Sequence, residues 1–254
     1  MRRALLLLVV AVAGLVAACE DKYKDPDPKV MGYDYYPLEV GQYRVYDVMD
    51  IRFMSDVGDT SRFQLRERID TTFVDQTGKL NYKIIRSVRA NENMNWIDDS
   101  VMVVTKSDAM VMLTKNNTKF VKMVFPVKEG QTWLGDAYNN NTGEDYKPDP
   151  NTNKRAEYYL TKEDYTFENV GKPYTVNGNT FNNTATVIQG TPIETWIGLN
   201  DRKEVYAEGV GMVYRLFTRI VYCNRDDVSE CDYGVGYRLH GHERHEKLID
   251  YGKE

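Results

Sequence analysis

From about Tyr36 onward the chain is written mostly with a period of two. The stretch from Arg62 to Phe73 is the clearest case. Phe63, Leu65, Ile69, Thr71 and Phe73 share one parity, while Arg62, Gln64, Arg66, Arg68, Asp70 and Thr72 share the other. Only Glu67 breaks the apolar set. Such alternation predicts a strand with one buried and one wet face. Leu80, Tyr82 and Ile84 repeat the pattern after Asp75-Gln76-Thr77-Gly78, a hairpin turn in which Gly78 is free to take positive φ. Upstream, Tyr43, Val45, Met49, Ile51 and Phe53 form an apolar parity interrupted by Asp47, and this set is expected to face the core.

The pattern continues in short apolar runs at 101–105, 110–114, 119–125, 184–189, 194–199, 203–207 and 211–222, with turn residues such as Asn116-Asn117 between them. Gly209 and Gly211 predict a bulge or a close backbone approach. No segment carries a sustained helical stripe; the best candidate, Arg155 to Asp164, is expected to give a turn or two. The fold class is therefore all-β, an antiparallel meander of roughly a dozen strands forming a sandwich or a (half-)barrel with little helix. Residues 36–254 read as one domain, with a possible internal seam near 138–153, where Asn, Asp, Pro and Gly concentrate. Pro37-Leu38-Glu39-Val40-Gly41-Gln42-Tyr43 is echoed by Pro126-Val127-Lys128-Glu129-Gly130-Gln131-Thr132. Two strand-opening turns of one type account for this without a duplication.

The apolar density is highest before the alternation begins. Arg2 and Arg3 precede Ala4 to Ala13, an unbroken apolar run, and Leu15-Val16-Ala17-Ala18-Cys19 follows Gly14. A basic start, an apolar centre and small residues at the end read as a cleaved secretion signal covering residues 1–18. Val16-Ala17-Ala18-Cys19 resembles the lipobox of bacterial lipoproteins. That resemblance implies a diacylglyceryl group on Cys19, cleavage before it and acylation of its new amine. Several acyl chains on one residue anchor firmly, so membrane lipid is the first expected partner. Residues 19–35 follow as a flexible tether, with prolines at 26 and 28 favouring extended backbone.

The acidic residues just after Cys19 also resemble the surface-export signals of Bacteroidota lipoproteins, which implies an outer-membrane address facing out of the cell ahead of the periplasmic face. Tyr36-Pro37-Leu38-Glu39-Val40-Gly41-Gln42-Tyr43-Arg44-Val45-Tyr46 and Val205-Tyr206-Ala207-Glu208-Gly209-Val210-Gly211-Met212-Val213-Tyr214 resemble the two ends of a group of Bacteroidota outer-membrane and cell-surface lipoproteins without an assigned reaction. Arg44 stands where a Trp is more usual in that group.

Charge and cysteine usage narrow the function. The formal net charge is -5, and loss of Arg2 and Arg3 with the signal takes it to -7. An acidic chain is a poor nucleic-acid binder, so no nucleic-acid partner is expected. With Cys19 lipidated, Cys223 and Cys231 are left as an even pair across a polar loop, and a disulfide is expected between them.

Candidate chemistry is sparse. His240, His242 and His245 cluster near the C-terminus, but their spacing is wrong for a zinc-protease helix. On a strand His240 and His242 would share a face; a polar turn is the plainer reading, and the three remain weak metal candidates. Asp149-Pro150-Asn151-Thr152-Asn153 begins like a calcium loop, but Lys154 and Leu160 stand where Gly and Glu are needed. No nucleophile elbow and no phosphate-binding glycine pattern occurs, so neither catalysis nor a cofactor is expected. Tyr33, Tyr35, Tyr36 and Trp96 are candidates for stacking on sugar rings. The sequence thus predicts a lipid-anchored, non-catalytic binding or structural domain. The alternatives are a β-barrel carrier of a lipid or other hydrophobic ligand, which requires an unfilled interior, a glycan-binding accessory protein or, further off, a hydrolase.

Overall fold

The computed structural model describes residues 27–139, 164–196, 198–223, 231 and 236–254. Its strands are β1 (Gln42–Met54), β2 (Val57–Val74), β3 (Leu80–Arg89), β4 (Ile97–Lys106), β5 (Met110–Lys115), β6 (Thr118–Val124), β7 (Thr132–Leu134), β8 (Asp164–Val176), β9 (Asn179–Gln189), β10 (Ile193–Thr195), β11 (Gly198–Ala207), β12 (Gly211–Tyr222) and β13 (Arg238–Lys253). All belong to one antiparallel sheet in the order β6-β5-β4-β3-β2-β1-β13-β12-β11-β9-β8-β7, with β10 on β11. The first and last strands meet at its middle, from Gln42 opposite Lys253 to Met54 opposite His240.

The sheet curls until its two edges touch. Val121 N on β6 donates to Gly135 O just past β7 at 2.8 Å, and the indole Nε1 of Trp133 donates to Val121 O at 2.8 Å. The Asn139 amide adds bonds to Lys119 N and O. The result is a nearly closed barrel, which removes the exposed strand edges that would otherwise invite aggregation. The expected fold class is met, as a barrel. The proposed seam at 138–153, the helical candidate at 155–164 and the calcium-like loop fall almost wholly outside the described residues.

Tight turns set the register of the hairpins. Ser55-Asp56, Asn116-Asn117 and Asn177-Gly178 all place both residues at positive φ, the geometry that matches strand twist. At the 75–78 turn the Asp75 carboxylate accepts from Thr77 N, Thr77 Oγ1 and Lys79 N. The two echoed turns are also alike in space. Gly41 and Gly130 both have positive φ, and Gln42 N and Gln131 N each donate back three residues. Gly41 N and Gly130 N each donate to a strand, at Ile69 O on β2 and Phe167 O on β8.

One end of the barrel is stoppered. A short helix, α1 (Pro28–Met31), starts on an Asp27 cap and ends on Gly32, and a 3-10 turn follows at Tyr33–Tyr35. Met31 O accepts from Val127 N, Asp34 O accepts from Gly209 N, and Lys106 Nζ donates to the carbonyls of Tyr33 and Tyr36. Residues 28–35, expected as part of the tether, are folded onto the barrel. Tyr35 is buried, Tyr33 packs edge-on against Phe125, and Tyr36 lies against Tyr206. These tyrosines are a plug and not a sugar platform, because their rings are spent on the core.

The inner face of β1 is the opposite of the one its apolar residues predict. Arg44, Tyr46, Val48 and Asp50 are buried at 6%, 0%, 0% and 9% exposure and line the interior, while Asp47 and Arg52 are exposed. Glu67 follows the same logic. It points inward with Leu65 and Ile69 and is buried, so it is a member of the inner set and not a flaw in it. The barrel interior is apolar over one part, built on residues such as Leu65, Ile84, Val104, Val111 and Phe167, and charged over another.

Candidate ligand-binding cavity

The charged part of the interior is built by inward positions on seven strands. Glu246 and Arg244 come from β13, Arg215 from β12, Glu204 and Arg202 from β11, Lys122 from β6, Arg86 from β3, Glu67 from β2 and Asp50 from β1. Cross-strand pairing sets the first contacts, with Arg215 opposite both Glu204 and Glu246 and Asp50 opposite Arg244. Arg215 bridges the two acids, with Nε 2.8 Å from Glu204 Oε1 and Nη1 2.8 Å from Glu246 Oε2. Lys122 Nζ reaches Glu204 Oε1 at 2.6 Å, and the Tyr206 hydroxyl donates to Glu204 Oε2 at 2.6 Å. Arg244 holds Glu246 through Nε and Asp50 through Nη1, at 2.8 and 2.9 Å. Arg86 lies 3.3 Å from Glu67 and 3.7 Å from Glu246.

Burial alone would raise the Glu204 carboxyl pKa, but Lys122 and Arg215 reverse that and hold it well below the usual carboxylate range. Glu246 is lowered in the same way against its own burial, by Arg215, Arg244 and Arg86. Burial lowers Lys122; Glu204 pulls it up and Arg215 pushes it down again. Both acids are therefore ionised and saturated by cations, and neither is poised to donate or take a proton near neutral pH.

Beside this network lies a cavity of about 530 Å³. One wall is apolar, with Phe63, Val88, Phe120 and Phe217; the charged groups form the other. Several lining residues sit at strand ends on the side away from the plug. Lys115 closes β5, Gln189 closes β9, Val88 is the penultimate residue of β3, and exposed Asp99 sits near the start of β4. A volume of this size falls within the roughly 300–1,000 Å³ that holds a drug-sized molecule.

The three histidines are not brought together. They lie on a sixteen-residue strand, β13, and not in a polar turn. His242 faces inward and its Nε2 lies 3.0 Å from Asp50 Oδ2, while His245 faces the other way, between Tyr214 Oη and Glu243 Oε1. His240 shares the parity of His242, as a strand requires, but is exposed. Among the described residues no three His, Cys, Asp or Glu side chains are gathered around a common point. Trp96 is half-buried, with the guanidinium groups of Arg66 and Arg89 over its ring at 5.0 and 4.2 Å. Cys223 and Cys231 lie at disulfide distance, with Cα atoms 6.0 Å apart. Cys19 lies outside the described residues.

The cavity residues were not singled out by sequence, because no motif joins them. Their signal was the presence of charges on an otherwise apolar parity, visible at Glu67 and absent elsewhere until the inner face is known. Gly211 did give a clue. A Cβ there would meet Arg44 Nη1 at 2.6 Å, so the predicted close approach is that of the buried Arg44 guanidinium, which donates to Val210 O.

No protein-family model matches the chain, and no curated protein matches it. Among solved structures it is similar to a protein from Bacteroides fragilis described as exported and of YmcC-like fold, at 10% identity and a TM-score of 0.37, covering 86% of this chain and 98% of that one.

Proposed function

We propose that this chain is an outer-membrane lipoprotein, acylated at Cys19, whose barrel is a non-catalytic binding module with the interior cavity as its ligand site. The observation that carries the reading is the cavity itself. A carrier barrel must leave part of its interior unfilled, and this one does so beside a buried polar network. Buried ion pairs are weak contributors to stability, and apolar replacements of similar volume are often as stable or more so. A barrel selected for stability alone has little use for them. The absence of catalysis is supported by the acids of the wall, Glu204 and Glu246, each neutralised by its cations.

The anchor part rests on the resemblance at 16–19 and on the acidic residues after Cys19. Residue 28 lies at the closed end of the barrel, opposite the cavity. Metabolic labelling with a clickable fatty acid should mark the wild-type chain and not Cys19→Ser. Protease treatment of intact cells should remove the barrel if it faces outward. An unlabelled wild-type chain would end the anchor reading, and a protected barrel would end the surface assignment. Crystals of the protein grown from its native envelope should show density in the cavity; side chains refolded into that space would end the carrier reading.

A further inference from the structure

We infer that the cavity takes an anionic amphiphile, with its acidic group on the cationic wall near Lys115 and its apolar part against Phe63, Phe120 and Phe217. This rests on the carrier reading above and goes beyond it by naming the chemistry of the ligand.

The charge arrangement is the first argument. Six cationic side chains line the cavity, namely Arg86, Lys115, Lys122, Arg202, Arg215 and Arg244, against three carboxylates, Asp99, Glu204 and Glu246. Glu67 and Asp50 reach two of these cations from behind the wall, through Arg86 and Arg244, and Arg202 donates to Asn200 Oδ1, which leaves Lys115 as the lining cation that no described side chain holds.

Lys115 is the second argument. Lys122, Arg86, Arg215 and Arg244 each have a carboxylate within reach. Lys115 is half-buried and has no ion-pair or hydrogen-bond partner among the described residues. Burial, Arg86 and Arg215 all act against its charge, so its pKa is lowered. An incoming anion would offset the repulsion from both arginines. A phosphate, sulfate or carboxylate meets this need. The apolar wall excludes a bare anion as the whole ligand, because three phenylalanines would then stay against water.

Calorimetry on the purified protein distinguishes the cases, using decyl phosphate, decanol, decyltrimethylammonium and inorganic phosphate, all below micelle formation. Decyl phosphate should bind roughly tenfold or more tightly than decanol, the scale of one charge-assisted contact. The cationic amphiphile and inorganic phosphate should bind at least as weakly as decanol. Lys115→Gln should remove most of the preference for decyl phosphate over decanol, and Lys115→Arg should keep it; the melting temperature of each free variant checks that it is folded. Should Lys115→Gln not fold, Lys115→Met serves as the second variant and should weaken decyl phosphate alone. Equal binding of decyl phosphate and decanol would overturn the inference while leaving the carrier reading intact. Inorganic phosphate binding as tightly as decyl phosphate would overturn the amphiphile. No binding by any probe would overturn both.

Discussion

Glu204 is the most exposing place to test the energetics of the interior. The side chain is 1% exposed and accepts from Lys122, Arg215 and Tyr206 at 2.6, 2.8 and 2.6 Å. Glu204→Gln removes the charge while keeping the shape, so Lys122 loses its carboxylate and Arg215 keeps only Glu246. Breaking a buried pair by removing one partner costs about 3–5 kcal/mol, because the other charge is left uncompensated. For a chain of this size each kcal/mol moves the midpoint by roughly 2–4 °C, so the fall should be about 6–20 °C. The pH dependence has a fixed sign. The folded-state pKa of Glu204 lies below its ordinary value of 4.5, so its stabilisation is complete above about that pH and is lost as pH falls below it. Thermal or urea unfolding at pH 7 and at decreasing pH should therefore show a gap between wild type and variant that narrows in acid. Glu204→Leu combined with Lys122→Met should recover most of the loss. A single variant within about 1 kcal/mol of wild type at pH 7 would refute the claim that this carboxylate compensates the buried cations.

Three further outcomes are expected. Trp133→Phe loses the indole bond that ties β7 to Val121 O across the barrel closure, at a cost of about 1–3 kcal/mol; amide exchange should rise in β6 more than in β1, and a uniform rise would place the closure elsewhere. Reducing the Cys223–Cys231 pair should lower stability by about 2–3 kcal/mol through loop entropy, with a mass gain of two hydrogen atoms on reduction; an unchanged mass means the thiols were free. The Asp75 carboxyl, held by Thr77 and Lys79, should titrate by NMR with a midpoint of about 2, and a midpoint at the ordinary 3.8 would mean that the turn is open in solution. The stabilisation from Asp75 is present above its unfolded value and is lost as pH falls towards 2.

Strand positions were legible wherever an apolar parity met a polar one. β2, β3, β5, β6 and β12 lie close to where the alternation puts them, and the 75–78 and 116–117 turns carry the residues that their φ values demand. The inner parity, however, is not always the apolar one. On β1 both faces are rich in apolar residues, so Val45 and Phe53, buried from outside, outvoted Arg44 and Asp50. On β13 the inner positions are His242, Arg244 and Glu246, so the strand had no apolar face to announce it and its histidines looked like a turn. The tyrosines before β1 were misplaced for a related reason, since a plug residue carries no periodicity.

The two errors and the cavity have one cause. Period-two reading detects the hydrophobic effect, which is strong where water is excluded from both sides of a contact. A strand that lines a charged interior is held by ladder hydrogen bonds and by ion pairs to side chains three or more strands away, and neither leaves a local pattern. Lys122 on β6 meets Glu204 on β11 across the inside of the barrel, eighty-two residues apart in the chain. Such a pair is intelligible only after closure brings the strands face to face. Charged residues on an inner parity are therefore the mark of a site in a barrel of this kind, because a position whose only task is packing gains nothing from the desolvation cost of an arginine or a glutamate. Glu67 was visible from the start as the one break in the cleanest strand of the chain, and it sits behind the cavity wall, held by Arg86.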